Sequence, residues 1–235
     1  MNNKVIWIYW AGQSMSPARA KAYDFLIKKN SNCQVKLVSE VDFKKYEVKT
    51  NPIPKEFYLL SFTHQSDYVR SYLMHHYGGA YSDIKPYGFN FSSILSQLYK
   101  DSNCWGISYP YRKEELRSLK NFHGIDDIEN GDQYLGYGCF AYKSKTDFTK
   151  KWLELNDSML KKNSTELINS PGTYHPRAIH SGVFQQDFND LNVYPTGYPF
   201  GWGNFIGNYQ LAQKYYLDHF KPILPQLFFD HKYYR

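Results

Sequence analysis

Two adjacent glycines, Gly78 and Gly79, divide the run THQSDYVRSYLMHHYGGAYSDIKP, from Thr63 to Pro86, into a part with helical periodicity and a part with strand character. Val69, Tyr72, Leu73 and Tyr77 fall at helical spacing and predict one buried stripe between Asp67 and Tyr77. Ser66 is the expected N-cap, because its hydroxyl accepts from a free N–H of the first turn. Gly78 ends the helix by taking the left-handed conformation that a residue with a Cβ resists. Ala80 to Ile84 then reads as a strand broken by Pro86, which leaves Asp83 at a strand's end. Asp67 and Arg70 stand three apart and share a helix face. The unit thus offers two carboxylates and a guanidinium. A carboxylate accepts from two sugar or ribose hydroxyls, and a guanidinium donates in a fixed fork to oxygens, so a charged, hydroxyl-rich ligand fits. A surface helix with an Asp–Arg pair and a tight turn has the same local pattern.

Val5 to Trp10 is a continuous apolar run, as in a strand buried on both faces. Ala11 to Gln13 turn the chain before a helix expected to begin near Ser16 and Pro17, with proline at a favoured first position. Val35 to Val38 reads as a second strand. In such a β-α-β order, open sheets bind ligands at the loop after the first strand. Residues 39–62 read as a connection with a short helix, broken by Asn51, Pro52 and Pro54.

Further on, a helix is predicted over Phe89 to Tyr99 and strands over Trp105 to Tyr109 and Tyr137 to Tyr142. A second amphipathic helix, Thr146 to Lys161, carries Phe148, Trp152, Leu155 and Met159 on one stripe. Between Arg112 and Gln133 the chain is polar, and Asp126, Asp127, Glu129 and Asp132 miss the spacing of a calcium loop, so they read as a solvated loop. His175 and His180 read as hydrogen-bonded structural residues.

The chain of 235 residues fits one α/β domain, with no composition shift to mark a boundary. Hydrophobic residues at 42% supply a sizeable core, and 23 tyrosines offer apolar faces with polar tips for packing or for stacking on sugars and bases. A formal charge of +6 favours anionic partners, but no long Lys/Arg run or RNA-binding signature is present, and nucleic acid is discounted. Cys33, Cys104 and Cys139 form neither a disulfide framework nor a zinc knuckle, which fits a reducing compartment. The opening apolar run is too short for a signal peptide or a membrane span. A cytoplasmic protein is expected, free or held peripherally on the cytoplasmic membrane face.

The run SDYVRSYLMHHYGGAYSDIKP resembles the sugar-binding region of DXD-type glycosyltransferases: family 32 enzymes, capsular polysaccharide synthesis proteins and the glucosylating bacterial toxins. The shared pattern is Ser-Asp, two residues, an Arg, a hydrophobic helix, Tyr-Gly-Gly, an aromatic and D-x-D. IWIYWAG likewise resembles the family's opening I-W-x-x-W-x-G, whose loop meets the nucleotide. The resemblance implies a GT-A (Rossmann-like) α/β fold: a single domain over 1–235 whose mostly parallel central sheet holds a nucleotide-sugar at the strands' carboxyl ends, with Mn²⁺ or Mg²⁺. By that likeness Asp67 and Arg70 bind the donor's sugar or phosphate and Asp83 is the first acid of the D-x-D, a catalytic residue and metal ligand. Tyr9 and Trp10 lie near the base, and Tyr81 is the aromatic of the donor site. YPFGWGN resembles a Trp-bearing loop of the capsular branch, so Trp202 closes over the donor; His231 in the terminal FFDHKYYR is a second metal ligand. The segment NSPGTYHPRAIHSGV resembles the family's Gly-Pro turn, with Ser170 for its glycine.

One position departs from the pattern. Lys85 stands where the second acid is common, and an ammonium cannot coordinate a cation. It is instead a candidate to neutralise a departing diphosphate in the metal's stead. The implied function is hexosyl-type transfer from a nucleotide-diphosphate donor to a carbohydrate or lipid-linked acceptor, with retention, in surface or capsular polysaccharide synthesis. The alternative is an inactive protein that binds a nucleotide-sugar or glycan. A phosphoryl-transfer enzyme is disfavoured by the lack of a GxxxxGK[ST] loop and of paired metal acids.

Overall fold

The computed structural model describes residues 4–85, 90–110, 135–169, 171–172 and 220–222. Its strands are β1 (Val5–Tyr9), β2 (Gln34–Val38), β3 (Gly79–Ser82), β4 (Gly106–Pro110), β5 (Leu135–Tyr142) and β6 (Phe220–Pro222). Its helices are α1 (Pro17–Lys29), α2 (Glu40–Phe43), α3 (Phe62–His76), α4 (Phe91–Lys100), α5 (Asp147–Lys162) and α6 (Ser164–Asn169), with short 3-10 turns at Lys44–Tyr46 and Lys55–Leu59. The strands form one sheet in the order β2-β1-β3-β5-β4-β6. β1 runs parallel to β2 and to β3, and β4 parallel to β6. β5 is antiparallel to both of its neighbours, so the sheet is mostly parallel with one reversed strand inserted beside β3.

Strand alternation gives the two faces different chemistry. Val5, Trp7, Tyr9, Tyr81, Phe140 and Tyr142 point into a core shared with Tyr68, Val69, Tyr72 and Leu73 of α3 and with Phe148, Trp152 and Leu160 of α5. Ile6, Ile8, Ala80, Cys139, Ala141 and Ile107 point the other way, onto Leu26 of α1 and Phe91, Ile94, Leu95 and Leu98 of α4. The result is an α/β sandwich, aromatic on one face and aliphatic on the other. Aromatic rings of β5 and α5 meet edge to face, as with Tyr142 on Phe148 at 5.3 Å and 84°.

The paired glycines have separate tasks. Gly78, at φ +65°, receives the α3 carbonyls through its N–H, which bonds the oxygen of Leu73 at 3.0 Å. Gly79, at φ +101°, brings the chain so close to β1 that a Cβ would lie 2.8 Å from the Val5 carbonyl oxygen. The indole N–H of Trp7 then donates to the Gly78 carbonyl at 2.8 Å, tying β1 to the turn.

Two expected boundaries shift. α3 starts at Phe62, a turn before the expected start, because the hydroxyl of Ser61 rather than Ser66 caps it. Ser66 lies inside the helix with its hydroxyl turned to Arg70 and Tyr81. β3 ends at Ser82, and Asp83 stands one residue beyond it. The helix near Ser16 and Pro17 forms as expected, with Ser16 as its cap. The acidic loop of Asp126 to Asp132, the Ser170 turn, His175 and His180 lie outside the described residues.

Candidate functional site

The parallel register pairs Ile6 with Ala80 and Trp7 with Tyr81, so two residues further on Tyr9, the last of β1, and Asp83, just past β3, reach the same edge of the sheet. Three contacts hold the turn that follows β3. The Asp83 N–H donates to the Gly138 carbonyl of β5 at 2.7 Å, the Ser82 hydroxyl donates to the Asp83 carbonyl at 2.8 Å, and the Lys85 N–H donates to that same oxygen at 2.9 Å. Arg19 of α1 adds a side-chain tie, its guanidinium donating to the Ile84 carbonyl at 2.5 Å.

Above this turn lies Arg70 of α3. Its guanidinium donates to Asp83 Oδ1 at 2.9 Å and to the Ser66 hydroxyl at 3.1 Å, and meets Asp67 Oδ1 at 3.3 Å. The planar cation rests 4.6 Å from the centroid of the Tyr81 ring, which is stacked in turn on Phe140. The Tyr81 hydroxyl lies 3.0 Å from that of Ser66 and donates weakly to Asp83 Oδ1 at 3.4 Å. Burial pushes its phenol up to about 12, against the lowering effect of Arg70, and it stays protonated as a donor. Asp67 and Arg70 are buried, whereas the side chains of Asp83 and Lys85 are 26% and 39% exposed, and Lys85 Nζ approaches Asp83 Oδ2 at 3.4 Å. Helix spacing alone brings Asp67 to Arg70, but only the β3 end brings Asp83.

Of the other expected donor residues, Tyr9 is buried, its hydroxyl donating to Gln65 Oε1 at 2.7 Å, while Gln65 donates onward to Glu40 at 3.0 Å. Burial first, and then the charge of Glu40, raise the Tyr9 phenol well above its usual range. Trp10 is half-buried, and its indole donates to the Gln13 carbonyl in the loop after β1. Tyr81 is the support beneath Arg70, only 1% exposed. Trp202 and His231 lie outside the described residues. Sequence reasoning missed Arg19, Gln65 and Glu40, and read Ser66 as a cap. Only Ser66 carried a signal, its position beside Asp67 and four before Arg70.

The described residues do not fit a divalent cation by themselves. No three His, Cys, Asp or Glu side chains among them cluster as a ligand set, and the Asp83 carboxylate has a cation at each oxygen. Lys85, two residues along, brings a charge of the wrong sign for a ligand.

The sequence profile of the family described as capsular polysaccharide synthesis protein matches residues 1–167. The chain belongs to that family. The part of this capsular polysaccharide synthesis protein that matches contains Tyr9, Trp10, Asp67, Arg70, Tyr81, Asp83 and Lys85, while Trp202 and His231 lie beyond it. Among solved structures, it is similar to the PaToxG glycosyltransferase with a TM-score of 0.43 and 15% identity, over 72% of this chain. It spans 65% of that chain's length. No curated protein matches it significantly. No helix among the described residues is long and apolar enough to cross a membrane.

Proposed function

We propose that this capsular polysaccharide synthesis protein is a GT-A-type glycosyltransferase that moves a sugar from a nucleoside-diphosphate donor to a glycan or lipid-linked acceptor. Family membership supports the transferase role. The observation that carries the reading is the placement of Arg70 between Asp67 and Asp83 at the carboxyl edge of β1 and β3, where an α/β sheet binds ligands.

In this reading Asp83 accepts from a hydroxyl of the sugar or ribose. Asp67 keeps Arg70 aligned, and the guanidinium donates to sugar or phosphate oxygens. As the bond between the anomeric carbon and the diphosphate breaks, its electron pair passes to the diphosphate oxygen, and Lys85 and Arg70 stabilise the charge that grows there. The acceptor hydroxyl bonds the anomeric carbon on the face the diphosphate leaves and passes its proton to the departing diphosphate oxygen, with net retention. A metal would add positive charge at the same place; the lysine supplies it here from the chain itself. Trp202 closing over the donor and His231 holding the diphosphate complete the scheme.

Lys85 in place of a second acid also favours a second reading, a protein that binds a nucleotide-sugar without turning it over. Incubating the chain with a panel of nucleotide-sugars and glycan acceptors, with Mn²⁺ or with EDTA, separates the two. Transfer, or slow release of nucleoside diphosphate, supports the enzyme. A ligand-dependent rise in Tm with no donor consumed supports the binding protein, and no response to any nucleotide-sugar removes both.

A further inference from the structure

Among the described residues, cations outnumber carboxylates at the β3 end. Arg70 is enclosed by Asp67 and Asp83, and Lys85 shares the remaining oxygen of Asp83. Two cations thus meet two carboxylates. Arg19 comes from a different helix and brings a third cation to the same turn, where its partner is the neutral Ile84 carbonyl. No carboxylate among the described residues lies within salt-bridge reach of it.

The Arg19 side chain is exposed, and holding a long exposed side chain on one carbonyl sacrifices rotamer freedom. A neutral carbonyl uses only part of a guanidinium that has five N–H donors. The remaining donors are held at the turn that carries Ile84 and Lys85. We infer that Arg19 is a second cationic arm of the anion subsite, contacting the diphosphate of the donor opposite Lys85. The inference rests on the transferase reading above and extends it: diphosphate recognition is shared between α1 and the β3 turn, with one arm fixed by a backbone carbonyl and the other by a carboxylate.

The test is calorimetric titration of the full chain with UDP, GDP, ADP and dTDP, each against its own nucleoside, over a range of salt concentrations. Arg19→Gln removes the charge and leaves a shorter, neutral amide donor in its place. It is expected to weaken the preferred nucleoside diphosphate about tenfold, to leave the nucleoside unchanged and to flatten the salt dependence. Arg19→Lys recovers part of the loss and the full salt slope. If Arg19→Gln binds the diphosphate as the unaltered chain does, with the same salt slope, Arg19 is a clamp on the turn and the inference is overturned while the transferase reading stands. If the unaltered chain binds none of the four diphosphates, both are overturned. Far-UV circular dichroism and Tm show that each variant is folded, which the exposed position of Arg19 favours.

Discussion

Arg70 and Asp83 lie thirteen residues apart, on a helix and just past a strand, yet meet at 2.9 Å above the ring of Tyr81. A mostly buried guanidinium stripped of every acid loses about 3–5 kcal/mol, and Arg70 has two to share that task.

Asp83→Asn keeps the size of the side chain and most of its hydrogen bonding while removing its charge. Asp67 still holds Arg70, so the variant is expected to fold, with a modest fall in Tm. Sugar transfer should drop by at least about 100-fold, the scale of losing one charge-stabilising group in an active site. Release of nucleoside diphosphate from the preferred donor measures it; turnover near that of the unaltered chain would sink the assignment.

Lys85→Asp restores the acid that the D-x-D pattern lacks. Metal-independent activity should fall, because the ammonium proposed to steady the diphosphate is gone. Mn²⁺ should then raise both activity and Tm, and EDTA should reverse both. A variant indifferent to Mn²⁺ would show that this turn cannot be made into a cation site by one residue.

Gly79→Ala should cost roughly 2–4 kcal/mol in urea unfolding, from the positive φ together with the approach to the Val5 carbonyl. Gly172 also has positive φ, at +73°, but a Cβ there would meet nothing within 4 Å among the described residues. Gly172→Ala should therefore cost only about 1–2 kcal/mol, the conformational part alone. Equal losses at the two positions would mean that the contact with β1 is of no account.

His76 sets an acid limb on stability. Burial first, and then the neighbouring charges of His75 and Lys145, hold its imidazole down at about 4 from an ordinary 6.5. Between those values the unfolded chain binds the proton and the folded chain does not, so stability is full above pH 6.5 and is lost as pH falls toward 4. His76→Gln keeps a donor for Asn51 Oδ1, which lies 3.1 Å from the ring nitrogen. Its urea midpoint should fall less between about pH 7.5 and pH 5 than that of the unaltered chain. An identical fall in both would place the acid sensitivity elsewhere.

The sheet's first half was legible because strand burial writes itself as unbroken apolar runs: Val5 to Tyr9 is buried throughout. Asp67 and Arg70 were readable from spacing, and Asp83 from the glycines that place it after a helix. The reversal of β5 was not, because Tyr137 to Tyr142 has the same apolar character whichever way it runs. The start of α3 was misplaced because Ser61 and Ser66 are equally good caps in isolation, and the Ser66 hydroxyl is taken by Arg70 one turn along the helix and by Tyr81 of β3. Arg19 was invisible for a related reason. Nothing near it in sequence announces a bond to Ile84, 65 residues away.

The backbone of Asp83 depends on Gly138, which belongs to the reversed strand. A fragment stopping after Pro110 would include Tyr9, Arg19, Asp67, Arg70, Asp83 and Lys85, and yet would lack the rail that holds the acid in place. The proposed donor site is therefore not a separable module: its Asp83 carboxylate is supported by chain that is synthesised only after every one of those residues has been added.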